Sequence, residues 1–391
     1  MSPADTSHVF EGVEKRIEIR FALTEGADIY GLRKLSRSKL DELCCLCKCE
    51  IIHHEPMDGF DSYILSESSL FVFPTRLMIK TCGRTVPLDG VDFLVQTATD
   101  LGLVVTDMIY SRSSFLFPDL QFYPHNDIMH ELEHLATMRI AGRTVPGKSS
   151  ILGDASGKYW LVHRKEFPEP LSCSRSPMVD TPEHRKAEAT EHITVDVIMT
   201  GLCKASARNY FKNRSLTDSD NEKSMGKTIQ SVLPEFKHIA GKCYDPCGYS
   251  CNGHDDPYDA SGERYFTVHI TPEDAFSYAS FEATFEPDRG QDRFGSQADE
   301  KTMLRVETFL RNVVTVFSPE HVIVTICSNN ESVSATTLPP RFSCGGSKKV
   351  YMRHAEPYTS GDLLGEDIVA SSIYYSGVSS GNTGTKPTGL S

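Results

Sequence analysis

An α+β fold of antiparallel sheets with helices packed outside is predicted by three features of this 391-residue chain. Strand-like alternation of apolar and polar residues dominates, helical periodicity occurs only as single segments between strand groups, and the polar stretch from Pro168 to Glu191 separates two halves of similar content. Along the chain, Ile17, Ile19 and Phe21 alternate with Glu18 and Arg20, and Leu77, Ile79 and Thr81 with Met78 and Lys80. Both read as half-buried antiparallel strands, the second ending just before Cys82. In Tyr265 to Thr271, Phe266, Val268 and Ile270 share one face and His269 lies on the other with Thr267 and Thr271. Glu11 and Glu14, beside Lys15 and Arg16, read as solvated charges. Ile151 to His163 reads as a hairpin turning at Asp154 to Gly157. Helices are predicted over Ser38 to Cys47, Asp89 to Leu101, Asp127 to Met138 and Asp299 to Phe317. In the last, Leu304, Val306, Phe309, Leu310, Val313 and Phe317 are expected to form one apolar face. Lys212 to Lys227 and Glu286 to Lys301 are predicted as surface loops, and the Gly, Ser and Thr-rich Ser376 to Ser391 as a disordered tail. No internal sequence repeat is detectable.

With 39% hydrophobic residues the chain can bury a large core. A formal charge of −13, with no basic stretch to offset it, argues against nucleic acid or an anionic membrane as partner and favours a cationic small molecule. The first residues lack the pattern of a signal peptide, and no window approaches the length of a membrane span. A soluble, cytoplasmic protein with its twelve cysteines reduced is expected.

The segment Ser66-Glu67-Ser68-Ser69 interrupts the apolar run from Tyr63 to Phe73. A serine hydroxyl held against the carbonyl before it can convert the amide to an ester and then eliminate to a ketone, cutting the chain between Glu67 and Ser68. Five segments, His8 to Lys15, Tyr63 to Val72, Lys80 to Gly83, Tyr244 to Ser250 and His269 to Glu273, together resemble the eukaryotic S-adenosylmethionine decarboxylase proenzymes. The resemblance continues through Phe276 to Glu282 and fades over the last hundred residues.

The resemblance implies a four-layer α/β/β/α sandwich built from two related halves, about 8–167 and 190–355, in a single domain. It implies self-cleavage into a β chain of residues 1–67 and an α chain of residues 68–391, with Ser68 becoming a pyruvoyl group. That group forms a Schiff base with S-adenosylmethionine, so neither metal nor pyridoxal phosphate is needed. Ser68, Glu11, Glu14 and the proton donor Cys82 are expected to be catalytic. Glu67, Ser68, Ser250 and the base His269, with a near-neutral pKa, are expected to carry out processing. Phe10 and Tyr244 would sandwich the adenine, the Glu67 backbone would meet its edge and Glu273 the ribose hydroxyls. Tyr244 stands where many members have phenylalanine. Arg16, Glu18, Lys80, Thr194 and Asp196 match parts of a putrescine activator site, but His192 replaces an aspartate of activated members and Ile109 an arginine of the plant type. Constitutive activity with weak or absent putrescine stimulation is expected. Related members occur as monomers and as homodimers of the cleaved unit.

Two other functions fit parts of the chain. A non-catalytic regulatory homologue is opposed by the joint presence of Ser68, Cys82, Ser250 and His269. A zinc metallopeptidase is suggested by His130, Glu131 and His134, which match His-Glu-x-x-His on a predicted helix, but no third ligand follows in a suitable setting. Cys44 and Cys47 read as core residues beside Leu40 and Leu43, and Cys243, Cys247 and Cys251 miss by one the spacing of an iron–sulfur cluster.

Overall fold

The computed structural model describes residues 10–154, 157–167, 193–234, 236, 238–254, 264–285, 296–328, 333–343, 349–354, 357–360 and 369–379. The first half contributes β1 (Lys15–Leu23), β2 (Ile51–Pro56), β3 (Asp61–Leu65), β4 (Ser68–Val72), β5 (Arg76–Thr81), β6 (Leu103–Ser113), β7 (Gly147–Gly153) and β8 (Tyr159–Glu166). They form one antiparallel sheet in the order β2-β3-β4-β5-β1-β6-β8-β7. The second contributes β9 (Ile193–Thr200), β10 (His238–Cys243), β11 (Tyr249–His254), β12 (Tyr265–Thr271), β13 (Tyr278–Phe285), β14 (His321–Ser328), β15 (Arg341–Ser343), β16 (Lys349–Arg353), β17 (Tyr358–Thr359) and β18 (Val369–Ser379). Its sheet runs β10-β11-β12-β13-β9-β14-β18-β16-β15, with β17 paired to β18. Subtracting eight from each label turns the first six strands of the second sheet into the first six of the first, so the related halves that no sequence repeat reveals are plain in the topology.

Each sheet has a helix-covered outer face. Ile17, Ile19, Leu70, Leu77 and Ile79 pack against α1 (Arg37–Leu46), α2 (Val91–Asp100) and α3 (Ile128–Thr137). Val195, Val197, Phe266, Val268 and Phe281 pack against α4 (Asp218–Val232) and α5 (Ser296–Phe317). The inner faces meet, with Trp160, Val162, Ile198, Tyr278 and Tyr374 in one apolar patch and Phe60, Phe71, Phe73 and Tyr265 in another. This is the predicted four-layer sandwich.

β1 and β5 are not half-buried, as their alternation suggested, but buried along most or all of their length. β1 has Arg16 and Glu18 on its polar face, yet both are buried because the second sheet covers them. Alternation reports two different environments, and here the polar one is a sealed seam rather than water.

Other expectations shift at their edges. The loop predicted over Lys212 to Lys227 contains the start of α4, capped by Thr217 accepting from the Asp220 N–H, with Asn221, Met225 and Ile229 buried. The loop predicted over Glu286 to Lys301 becomes helix at Ser296, and 286–295 lie outside the described residues. Leu304 is 64% exposed, because at ~100° per residue it stands on the opposite side of α5 from the buried Val313. The tail expected to be disordered from Ser376 begins in β18, where Ser376 pairs with Met352 and His321. β18 thus carries the second sheet past residue 355, while 168–192, His192 included, and 380–391 lie outside the described residues. No described helix is long and apolar enough to cross a membrane.

The His-Glu-x-x-His segment does form a helix, α3, but for a structural reason. Glu131 is fully buried, where its carboxylate accepts from Arg112 Nε at 2.8 Å, Tyr110 Oη at 2.6 Å and His125 Nδ1 at 2.6 Å. His130 and His134 instead lie beside the Tyr123 ring. Cys44 and Cys47 are core residues, as predicted. Removing one partner of a buried ion pair leaves an uncompensated charge, so Glu131→Ala should lose about 3–5 kcal/mol of stability in chemical denaturation. Leu304→Ser should stay within ~0.5 kcal/mol.

Candidate active site

Ser66 and Glu67 form the turn between β3 and β4, with Leu65 paired to Ser68 and Ser68 paired on its other side to Thr81. The turn is tied down by Ser66 N–H to Glu50 O at 2.7 Å and Glu50 N–H to Ser66 Oγ at 2.9 Å. Within it Ser68 has φ of +135°, a region that crowds any side chain and persists only where the surroundings impose it. Its hydroxyl is buried without a well-formed hydrogen bond, although it lies near enough to Cys82 to influence that thiol. The Glu67 carbonyl accepts from Cys82 N–H at 2.9 Å and from the Cys82 thiol at 3.4 Å.

Cys82 follows β5, at the strand end where sequence placed it. Burial, then the Glu67 and Glu14 carboxylates, pushes its thiol well above the ordinary cysteine range, so it stays protonated at neutral pH. Glu67 is itself raised to about 7 by burial.

His269 projects from β12 into the seam with Thr267, as the alternation of that strand predicted. Its Nδ1 lies 2.9 Å from Ser250 Oγ, and its register partner on β11 is Ser250. Nε2 lies 2.9 Å from Thr267 Oγ, 3.4 Å from Ser69 Oγ and 3.9 Å from Glu14 Oε1. The near-neutral pKa expected of this histidine is not found, because complete burial pushes it down to about 3. The imidazole is therefore neutral across the physiological range.

Glu11 and Glu14 are buried, not solvated. Glu11 accepts from the Val13 N–H at 3.0 Å and the Phe117 N–H at 2.8 Å. Glu14 accepts from Tyr278 Oη and Ser280 Oγ, both at 2.6 Å. Burial raises both carboxyls despite these bonds. Of the two residues between them, the first must be glycine, since a Cβ on Gly12 would stand 2.5 Å from the Tyr278 ring.

Phe10 and the Glu67 carboxylate both border Gly83, at 3.3 and 2.9 Å from where a Cβ would stand on it. Tyr244 Oη donates to Leu65 O at 2.9 Å, so its ring leans on the same hairpin. Glu273, just beyond β12, keeps one buried carboxylate oxygen without a hydrogen-bond partner.

The residues that sequence resemblance assigned to an activator site line the adjoining seam. Lys80 Nζ reaches Asp196 at 2.8 Å and Glu282 at 3.0 Å, while Arg16 reaches Glu282 at 3.0 Å and Glu18 at 2.7 Å. Thr194 lies on β9 opposite Thr284 and Cys327. Asp196 is raised to about 7, chiefly by burial, and one of its oxygens is unpartnered.

Sequence reasoning missed Lys15, which alternation alone placed among solvated charges. It is fully buried, donating to Gly83 O and Gln121 Oε1 at 3.0 Å each, with its pKa lowered to about 8 by burial. A buried lysine has no period of its own. Asn252, Thr267, Tyr278 and Ser280, which complete the seam, were likewise unflagged. Among the described residues no group of three or more His, Cys, Asp or Glu converges as metal ligands do.

Comparison with known proteins adds to this geometry. The family model described as adenosylmethionine decarboxylase matches residues 7–370. S-adenosylmethionine decarboxylase proenzyme 4 of Arabidopsis thaliana is 34% identical over 296 residues, covering 70% of this chain and 74% of its own. The S-adenosylmethionine decarboxylase proenzyme of Drosophila melanogaster is 32% identical over 337 residues, covering 85% and 86%. A crystal structure of the Trypanosoma brucei AdoMetDC-delta26 monomer aligns at 17% identity with a TM-score of 0.49, covering 79% of this chain and 99% of its own.

The lowered pKa of His269 sets a stability prediction. Its folded value of about 3 lies below the ordinary 6.5, so the unfolded chain binds a proton that the folded one refuses. That contribution is complete above pH 6.5 and is lost as the pH falls towards 3. His269→Gln should lose stability less steeply than the parent between these limits in urea titrations.

Proposed function

The chain belongs to the adenosylmethionine decarboxylase family, and from that premise we propose that it is a self-cleaving, pyruvoyl-dependent decarboxylase of S-adenosylmethionine. Its product would be the aminopropyl donor for spermidine and spermine, made in the cytoplasm without metal or pyridoxal phosphate. The observation that carries this reading is the convergence of three things around the Glu67–Ser68 turn: a strained serine, a doubly hydrogen-bonded carbonyl and, 3.4 Å from the Oγ of the next residue Ser69, a neutral buried imidazole.

Ser68 Oγ attacks the Glu67 carbonyl carbon, and the two donors of Cys82 stabilise the charge that develops on the oxygen. The C–N bond breaks, leaving an ester between Glu67 and Ser68 Oγ and a free amino group on Ser68. His269 then takes the Ser68 α-proton through Nε2 and the Glu67 carboxylate leaves, with Ser250 Oγ, 2.9 Å from Nδ1, accepting the Nδ1 proton in that tautomer and orienting the ring. Water displaces the nitrogen as ammonia, and a ketone remains at the new amino terminus. The cut yields chains 1–67 and 68–391, still paired through β3 and β4.

Once formed, that ketone supplies the electron sink for cleavage of the Cα–carboxylate bond. The residues present fit it. Cys82, protonated beside Glu67, would return a proton where the carboxylate left. Phe10 and Tyr244 border the same hairpin and would flank the adenine, aromatic faces near a sulfonium adding about 0.5–2 kcal/mol. The Glu67 backbone would meet the adenine edge, and the unpartnered oxygen of Glu273 is an acceptor for a ribose hydroxyl. Glu11 and Glu14 are buried acids short of compensating charge, which suits a substrate carrying a sulfonium and an ammonium group.

Freshly purified protein should run as two chains on a denaturing gel, with an intact mass matching a cut before residue 68. Ser68→Ala should give one uncut polypeptide without decarboxylase activity. In the seam, Arg16 and Lys80 already supply two cations to Glu18, Glu282 and Asp196, as an added diamine would. Putrescine should therefore leave turnover unchanged, and a several-fold rise would refute this part of the reading.

A further inference from the structure

Asn252 lies on β11, across the seam from the scissile hairpin, and is 3% exposed. Its amide reaches both strands of the hairpin at once. Nδ2 donates to Tyr63 O at 3.0 Å and to Ser62 Oγ at 3.1 Å on β3, while Oδ1 accepts from Ser69 Oγ at 2.7 Å on β4. Because a main-chain carbonyl can only accept, Tyr63 fixes which way the amide faces. The single proton of the Ser69 hydroxyl is then committed to Oδ1. Ser69 is left with only lone pairs for Thr267 at 3.0 Å and His269 Nε2 at 3.4 Å, so it cannot cap the basic nitrogen.

Resting on the self-cleavage reading above, we propose that Asn252 is a positioning residue for the cut: a clamp from the second sheet that grips β3 and β4 on either side of the Glu67–Ser68 turn. A residue in a disfavoured φ relaxes unless its neighbours hold it. Along β4 the residue after Ser68 is Ser69, so the clamp acts one residue from the strained position; along β3 it acts at Ser62 and Tyr63, and Tyr244 Oη adds a hold on Leu65. The grip also spans the future break, since Tyr63 belongs to the segment before the cut and Ser69 to the segment after it.

The test compares Asn252→Ala with Cys251→Ala, its neighbour on β11, whose side chain is buried in the helix-covered core away from the seam. Self-cleavage is followed on denaturing gels after cell-free synthesis, and thermal midpoints are measured with each substitution in a Ser68→Ala background. A misplacement of about 1 Å at a reacting centre costs on the order of 100-fold in rate, so Asn252→Ala should cut about that much more slowly. Cys251→Ala should lose stability yet cut at the parent rate. Cleavage of Asn252→Ala at the parent rate, or slowing of both variants in proportion to their lost stability, would overturn the clamp. Should Asn252→Ala fail to fold, Asn252→Asp keeps the shape and the Ser69 acceptor but sets an oxygen against Tyr63 O; it should be slow, and parent-rate cutting by it overturns the proposal. If the parent protein itself stays uncut, it is the function proposed above that fails, and that outcome is read in a separate lane.

Discussion

Lys80 sets the relation between the two sheets. Its ammonium leaves β5, crosses the seam and is shared by Asp196 on β9 and Glu282 on β13, while Arg16, its register partner on β1, takes the other oxygen of Glu282. Apolar packing is nearly non-directional, and the aromatic patches at either end of the seam would tolerate some sliding. Charge-assisted hydrogen bonds do not. A buried network of this kind adds little net stability once desolvation is counted, but any displacement leaves charges unpaired. The sheets are thereby held in the register that brings β11 and β12 over the β3–β4 turn.

One cause then prepares the chemistry. Removal from water disfavours whichever form of a group is charged, and at this site it lowers His269 and Lys15 and raises Cys82, Glu11, Glu14 and Glu67. A proton acceptor and a proton donor can thus coexist in one buried region without neutralising each other. The site does not need finely opposed charges; it needs dryness, which the second sheet supplies.

Much of this was legible in the sequence. The side of β12 on which His269 lies, the strand-end place of Cys82 and the core cysteines of α1 all follow from periodicity, because a single strand or helix decides them. What periodicity could not tell is what covers a polar face. The alternation in β1 reads identically whether Arg16 and Glu18 meet water or another sheet, so the burial of Lys15, Glu11 and Glu14 went unforeseen. Pattern also misled within α5, where Leu304 matches the composition of the apolar stripe but not its phase. In α3 a motif with a well-known metal-binding meaning proved to be a buried carboxylate serving Arg112 and His125. Short patterns fix residue types and spacing, while the direction of each side chain depends on partners far away in the chain.

The strand order repeated in the two sheets has a consequence for where reactivity can reside. β4 and β12 occupy corresponding places in their halves, and one carries Ser68 whereas the other carries His269. A duplicated scaffold facing itself offers two symmetric corners, yet here the hydroxyl stands on one copy and the imidazole on the other. Neither copy alone carries both groups, so any reaction that needs the Ser68 hydroxyl and the His269 imidazole together waits until the second half has folded over the first.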